Sequence, residues 1–426
     1  MTDTPSSPGS PASPTPPTRV LVLNSGSSSL KYQLLDMADA SRLAVGLVER
    51  IGEADPRLVH TPRAGGKRER RGGFADHAAA LAAVSEELAA DGLGLDSPAL
   101  AAFGHRVVHG GSRFGEPVVV DDGVEAEIER LVPLAPLHNP ANLTGIRTAR
   151  ELRPDLPQVA VFDTAFHRTM PEYAARYAID VATADEHLIR RYGFHGTSHA
   201  YVSRKCAALL GKDPADVNVI VLHLGNGASA SAVAGGRCVD TSMGMTPLEG
   251  LVMGTRSGDI DPAVPLHLQR AAGMSVEETD ELLNKRSGLN GLCGDNDMRE
   301  ILRRSDAGDQ RARLAFDVYI HRLKKYIGAY AAVLGRVDAV AFTAGVGENA
   351  AAVREAAVAG LEPLGLSVDP ERNTVRSDEP RIISQDGARV VVAVVPTDEE
   401  LEIAQQTFAL VGTENVRKNE IRTPLS

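Results

Sequence analysis

Val20-Leu-Val-Leu-Asn24-Ser-Gly26-Ser-Ser-Ser29 is an apolar run that passes straight into a loop of small, hydroxyl-rich residues. The pattern recurs at Val219-Ile-Val-Leu-His223-Leu-Gly225-Asn226-Gly227-Ala-Ser229 and at Val340-Ala-Phe-Thr-Ala-Gly345-Val-Gly347-Glu-Asn349. Continuous β-branched runs of this length read as strands buried on both faces. Similar runs cover 159–162, 337–342 and 390–395, and helical periodicity fills 77–90, 125–131, 311–334 and 350–361. The alternation is that of an α/β protein. Small residues after a strand let the backbone approach an anion, with N–H groups and hydroxyls as donors. Three such loops in one chain point to one polyanionic ligand held from several sides.

Composition narrows the function classes. A chain of 426 residues, 43% hydrophobic and 24% charged, has material for two or three domains and belongs with soluble globular proteins. Nothing approaches 18 consecutive apolar residues, so no membrane-spanning helix is expected. Aromatic residues make up 4% with no Trp, which argues against stacking platforms for single-stranded nucleic acid. A net charge of −11 repels polyanions, while a small anion can still find a local basic pocket. Cys206, Cys238 and Cys293 are odd in number and too dispersed for a paired metal motif, which fits a reducing cytoplasm. Residues 1–18, rich in Pro, Ser and Thr, read as a disordered tail. The basic, Gly-rich stretch 63–71 reads as a solvated hairpin tip.

The loops do not follow the commonest phosphate-binding pattern, since no G-x-x-x-x-G-K-[ST] is present. Gly225 to Ala230 and Gly345 to Ala350 do match G-x-G-x-x-A, which raises a dinucleotide-dependent dehydrogenase as a rival. After Gly225 the sequence signals a strand and hairpin, where a dinucleotide site needs a helix N-terminus. The Gly345 loop does precede a helix and leaves the rival open there.

Three stretches carry a family resemblance: Val20-Leu-Val-Leu-Asn-Ser-Gly-Ser-Ser-Ser-Leu-Lys31, Gly104-His-Arg-Val-Val-His-Gly-Gly111 and Gly254-Thr-Arg-Ser-Gly-Asp-Ile-Asp-Pro262. With Ala135-Pro-Leu-His-Asn-Pro140, Val161-Phe-Asp-Thr-Ala-Phe-His167, Gly193-Phe-His-Gly-Thr-Ser-His199 and Pro396-Thr-Asp-Glu-Glu400, they run in order from about residue 19 to the end. The chain resembles the acetate kinase family. That resemblance implies two actin-like (ribonuclease H-like) domains with ATP in the cleft between them, and a cytoplasmic homodimer. It places an N-terminal domain at 19–167, completed by a helix at 398–426, and a nucleotide-binding and dimerising domain at 168–397. The implied reaction is reversible, in-line transfer of the ATP γ-phosphoryl group to acetate, giving acetyl phosphate and ADP. Propionate or butyrate kinase on the same scaffold is the near alternative, and a non-catalytic actin-like nucleotide-binding module the distant one.

Chemistry says which residue types the reaction needs. A carboxylate acceptor is already deprotonated, so alignment and positive charge around the transferring group matter more than a base. The resemblance assigns that work to Arg106, Arg256 and His195, with His138 as a secondary phosphoryl contact and Asp163 orienting an arginine or metal-bound water. It places the substrate methyl among Val108, Leu137, Phe194 and Pro247, beside Arg106. Phosphates fall to Ser27, Ser29 and Lys31 and to His223, Gly225 and Asn226. Adenosine falls to Asp297, Met298, Arg299, Gly345, Val346 and Asn349. Mg²⁺, with Mn²⁺ as a substitute, falls to Asn24 and Glu399. His195 sits between Phe194 and Gly196, with little local crowding expected. His105, His109 and His199 read as structural. Thr397-Asp-Glu-Glu400 has the spacing of a capping box, with Thr397 as cap and Glu400 reaching back.

Overall fold

The computed structural model describes residues 17–422, with side chains to residue 413. Nearly all of the expected tail, 1–16, lies outside the described residues. Thr18 already donates its N–H to Ala99 O. Among the described residues no helix is long and apolar enough to cross a membrane.

Two compact units divide the chain. Unit 1 takes 1–105, 144–159 and 404–426, and unit 2 takes 106–143 and 160–403. Packing thus groups 106–143 and 160–167 with the later half of the chain, where the sequence reading drew one boundary at 167. The reason is visible in the contacts. Asp163 N–H bonds Val107 O, the Arg106 guanidinium bonds the Asp163 carboxylate, and Val108 packs on the main core of unit 2.

In unit 1, strands Arg68–Arg71, Arg57–Pro62, Ser41–Glu49, Ser29–Asp36 and Arg19–Ser25 form an antiparallel sheet in that spatial order. Leu100–Val107 then runs parallel to Arg19–Ser25, with Val22 opposite Gly104 and Leu23 opposite His105. Helix His77–Ala90, capped by Asp76 through the Ala79 N–H, covers one face. Leu21, Leu23, Tyr32, Leu34, Leu81, Val84 and Phe103 fill the space between. The basic stretch after 62 is the expected hairpin, joining Arg57–Pro62 to Arg68–Arg71.

The sheet of unit 2 runs Arg237–Thr241, Ala228–Ala234, Asn218–Leu224, Ala339–Thr343, Val391–Val394 and Arg381–Ile382. The three middle strands of this order that follow the hairpin are parallel. Their alternate residues face two different cores. Ile220, Leu222, Val340, Phe342, Val392 and Val394 meet helix Gln310–Leu334 through Tyr319, Leu323 and Ile327. Val219, Val221, Ala339, Ala341 and Ala393 meet helix Gly196–Leu209 through Val202, Cys206 and Ala207. Burial on both faces is why these strands read as unbroken apolar runs. The expected helix at 350–361 is found as Ala351–Val358, and a separate short helix, Ala344–Asn349, precedes it across Ala350, which leaves helical geometry.

Candidate active site

Loops at the carboxyl ends of parallel strands are where open α/β sheets hold ligands. In unit 2 three converge: residues 225–227 after Asn218–Leu224, Ala344–Asn349 after Ala339–Thr343, and 395–398 after Val391–Val394. Glu348 ties two of them together. Its Oε1 accepts from Ala344 N–H at 2.8 Å and from Thr397 N–H at 3.2 Å. Ala344 holds φ 62°, a strained left-handed backbone for a residue with a Cβ.

Arg106 lies at the end of Leu100–Val107 and Asp163 just past Gln158–Phe162. The guanidinium is bidentate to the carboxylate, Nε to Oδ1 at 3.0 Å and a terminal nitrogen to Oδ2 at 2.6 Å. Glu399 Oε2 is 3.9 Å from the same guanidinium. Burial works against charge on Arg106, but the Asp163 and Glu399 carboxylates outweigh it and keep the guanidinium protonated. Burial also raises the Asp163 carboxyl above its ordinary range, and the Arg106 charge opposes that rise. With a fork of two hydrogen bonds, we assign the pair as ionised.

Arg256 differs. Its terminal nitrogen donates to Pro247 O at 2.8 Å, and among the described residues no carboxylate lies within salt-bridge distance. Burial lowers its pKa. A half-buried cation without an acid partner carries an uncompensated charge. His138 shares the neighbourhood, its pKa lowered by burial and by the charges of Arg106 and Arg256.

His195 adopts φ 57° at the N-terminus of helix Gly196–Leu209. The next residue must be glycine, because a Cβ on Gly196 would lie 2.1 Å from Asp163 O, the acceptor of the Gly196 N–H. Its ring is not uncrowded as expected from its neighbours in sequence. It stacks on His223 with centroids 4.2 Å apart, because the strand Asn218–Leu224 delivers His223 beneath it. Nδ1 of His195 is 2.8 Å from Ser229 Oγ. Burial first, then the neighbouring His223, His199, Arg106 and Arg256, push the His195 pKa well below its usual value, and burial takes His223 to about 4. Both imidazoles are neutral. His105, His109 and His199 are buried in the protein's own contacts: His105 on Gln158, His109 accepting from Gly111 N–H, and His199 between Ser229 and Ser231.

Gly225, Asn226, Asp297, Met298, Arg299, Gly345, Val346 and Asn349 all line one pocket of about 570 Å³ in unit 2. The Asn226 corner is tight, since Gly254 N–H donates to Asn226 O and a Cβ on Gly254 would meet Asn226 Oδ1 at 2.0 Å. Asp297 caps helix Met298–Asp306 and pairs with the exposed Arg299. The sequence reading missed Tyr319, Leu302 and Arg376, which also line the pocket. It also missed Glu348 and the serines around the histidines.

Of the expected methyl-pocket residues, Phe194 is buried, Val108 and Pro247 are half-buried, and Leu137 is 66% exposed. The capping box is corrected. Asp398, not Thr397, accepts from Leu401 N–H at 3.0 Å, and the Thr397 N–H goes to Glu348. The long helix Glu399–Arg422 therefore starts one residue later than that spacing implied. In unit 1 the first loop is a tight turn, Gly26 N–H to Ser29 O, buttressed by His77 Nε2 on Gly26 O. Asn24 is half-buried at its start, Ser27 exposed, Ser29 half-buried and Lys31 exposed on strand Ser29–Asp36.

Among the described residues no group of three His, Cys, Asp or Glu side chains could hold a metal ion. Glu399 offers a carboxylate and Asn24 an amide oxygen, hard donors of the kind Mg²⁺ takes alongside water and phosphate.

Comparison with known proteins agrees across the chain. The acetokinase family model matches residues 19–405. An acetate kinase of Streptomyces avermitilis is 79% identical over 397 residues, 93% of this chain and 98% of that one. Among solved structures, Porphyromonas gingivalis acetate kinase superposes with TM-score 0.88 at 45% identity, covering 92% of this chain and all of that one. A propionate kinase of Francisella tularensis gives TM-score 0.86 at 42% identity, covering 91% and 98%.

Proposed function

The chain belongs to the acetokinase family and is an ATP:acetate phosphotransferase of actin-like fold, and we propose from that premise how its residues divide the work. An acetate oxygen attacks the γ-phosphorus in line, the new P–O bond forms as the bond to the β-bridging oxygen breaks, and ADP leaves with that electron pair. No proton need be removed from acetate. Arg256 is the observation that carries this reading: a half-buried guanidinium without a carboxylate partner among the described residues, beside His138 and the Arg106–Asp163 pair. Arg106, oriented by Asp163, meets the acceptor carboxylate. Arg256 and the neutral His195 donate to the equatorial phosphoryl oxygens, with His138 as a further contact. Donors fixed in advance stabilise charge that develops during transfer without reorganising.

The adenosine reading rests on the 570 Å³ pocket that gathers the expected residues. His223, Gly225 and Asn226, and in unit 1 Ser27, Ser29 and Lys31, keep their assignment to the phosphates. Glu399 and Asn24 are the residues we assign to Mg²⁺, which when bound neutralises phosphate oxygens. A homodimer working in the cytoplasm completes the proposal. Propionate as a second acceptor is favoured by the like-folded propionate kinase. Incubation with ATP, Mg²⁺ and each short acid, followed by hydroxylamine trapping, yields acethydroxamate in greatest amount. A folded, ATP-binding protein that yields no hydroxamate from any acid sinks the reading.

A further inference from the structure

His195 and His223 are each backed by a serine hydroxyl, and each serine touches one further group. Ser229 Oγ lies 2.8 Å from His195 Nδ1 and 2.8 Å from His199 Nε2. Beyond it, His199 Nδ1 lies 2.7 Å from Ser231 Oγ. Ser198 Oγ lies 2.8 Å from His223 Nδ1 and 2.8 Å from Thr397 Oγ1. Ser198, Ser229, Ser231 and His199 are fully buried.

We propose that these hydroxyls are positioning residues that fix the protons: Ser231, His199 and Ser229 hold His195, and Thr397 with Ser198 holds His223, each as the tautomer protonated at Nε2. The inference deepens the assignment of His195 to the phosphoryl group and rests on it. Proton accounting gives the direction. A hydroxyl has one hydrogen to donate. Ser231 Oγ has His199 Nδ1 as its side-chain partner among the described residues, and a fully buried hydroxyl hydrogen left unused is costly. It therefore goes to Nδ1, which leaves the His199 proton on Nε2. That N–H donates to Ser229 Oγ, so the Ser229 hydrogen is free for His195 Nδ1. With Nδ1 accepting, the neutral His195 ring carries its proton on Nε2. The second arm repeats the logic, since Thr397 donates to Ser198 and leaves the Ser198 hydrogen for His223 Nδ1.

The reverse order, with His195 protonated on Nδ1, leaves the Ser231 hydrogen unused and turns a bare lone pair outward at Nε2. That is the wrong polarity toward a phosphoryl oxygen. The groups facing His195 are His223, His199, Arg106 and Arg256, and those facing His199 are His167 and His223. His223 faces Arg106 and the Asp163 carboxylate, and burial outweighs the pull of that carboxylate toward an imidazolium. The pKa of all three rings is lowered, in keeping with neutral imidazoles.

The test is the nitrogen spectrum of the full-length protein labelled with ¹⁵N-histidine, with His195 assigned by the signals lost in His195→Asn. The expected result is a pyrrole-type Nε2 and a pyridine-type Nδ1, unchanged between pH 8 and 5.5. A pyrrole-type Nδ1, or an imidazolium in that range, overturns the proposal. Ser229→Ala should mix the tautomers and lower kcat about ten- to a hundredfold, with KM for ATP held within about twofold. His199→Gln, whose amide nitrogen can still donate to Ser229, should retain more kcat than His199→Leu. Equal kcat and wild-type nitrogen shifts in His199→Leu overturn the relay. Undiminished turnover in His195→Ala would instead remove the phosphoryl contact, while the nitrogen shifts still decide the relay.

Discussion

In unit 1, His60 is clamped between the Tyr32 hydroxyl and the Asp91 carboxylate, and Asp91 also takes two bonds of 2.8 Å from Arg68. In unit 2, Ser229 joins His195 to His199, Ser198 backs His223, and the His195 and His223 rings stack. The first arrangement has the hydroxyl, imidazole and carboxylate of a nucleophilic triad. Tyr32 is nonetheless 0% exposed, its pKa raised by burial, so it can meet no substrate. The second arrangement has no carboxylate among its hydrogen-bond partners in the described residues, although Asp163 lies near His223, and Arg106 and Arg256 act on His195. A carboxylate behind His195 would favour imidazolium and add negative charge where a polyphosphate must come. Hydroxyls orient the ring without either effect. A charged partner thus belongs to the His60 staple, whereas hydroxyl partners leave His195 and His223 neutral.

The largest expected effect separates the two networks by function. Arg106→Ala should lower kcat by about a thousandfold or more, as loss of a transferring-group arginine does elsewhere. ADP affinity should change little, because the guanidinium acts on the acceptor and the phosphoryl group. His60→Ala should leave kcat per folded molecule intact yet cost roughly 2–4 kcal/mol of stability, since Tyr32 and Asp91 both lose a buried partner. Matching losses of kcat in the two variants would erase the distinction drawn here.

Acid should also discriminate. His109, His167 and His223 have pKa values lowered to about 4, chiefly by burial, and His195 and His199 lie well below the usual 6.5. Between 6.5 and 4 the unfolded chain binds protons that these folded rings refuse. The stability they support is complete above about 6.5 and falls as the pH drops. Unit 1 has one such ring, His105, also near 4. Its Asp91 is depressed by Arg68, so the contribution of that carboxylate is lost only as the pH falls below the ordinary carboxylate range. Protection factors, corrected for the slower intrinsic exchange at lower pH, should therefore fall in helix Gly196–Leu209 before strand Ser29–Asp36 on acidification from pH 7 to 4.5. Equal falls in both would show that the neutral rings do not govern unit 2.

What could be read from the sequence follows from the range of the interactions. Strands buried on both faces announce themselves locally, and so do the hairpin at 57–71 and the loops after strands. Arg106, Arg256 and His195 stand out as candidates because each lies in a glycine-containing stretch that resembles the family's motifs. The serine relay does not, because Ser229 and His195 are 34 positions apart and meet only through the sheet. A trace existed: Ser229 and Ser231 share one face of a strand, and His195 and His199 stand at helical spacing. Glu348 left none, since its partner Thr397 N–H is 49 positions away. The capping box failed for a related reason, as Thr397 was engaged by Ser198 and Glu348 and the cap fell to Asp398.

Glu399 extends the comparison to metal. Its carboxylate lies 3.9 Å from Arg106, close enough to feel that charge but not hydrogen-bonded as Asp163 is. Glu399→Ala should raise the Mg²⁺ concentration for half-maximal activity about tenfold, in line with the loss of one oxygen ligand of a weakly held ion. Asp163→Asn should instead lower kcat without moving the Mg²⁺ titration. Identical titrations for Glu399→Ala and wild type would remove it from the metal.

The smallest expected effect concerns acid length, and it probes the apolar edge of the same site. Val108 follows the strand that carries Arg106, its N–H fixed by Asn142 Oδ1 at 3.1 Å and its side chain half-buried against the unit 2 core. Phe194, next to His195, is buried, while Leu137 is exposed, so the rigid part of the proposed methyl pocket is Val108 with Phe194. An apolar wall separates acids that differ by one methylene by only about 1–3 kcal/mol. Acetate should therefore be preferred over propionate by a modest factor. Val108→Ala removes two methyl carbons, which makes room for the longer chain and loosens the fit around acetate. The ratio of kcat/KM for propionate over acetate should rise a few-fold, about 1 kcal/mol of discrimination at most. Because Asn142 holds the backbone and not the side chain, Arg106 should stay in place and kcat with acetate should fall far less than in Arg106→Ala. A ratio that stays put or moves toward acetate places the methyl group elsewhere, even if phosphoryl transfer proceeds as described.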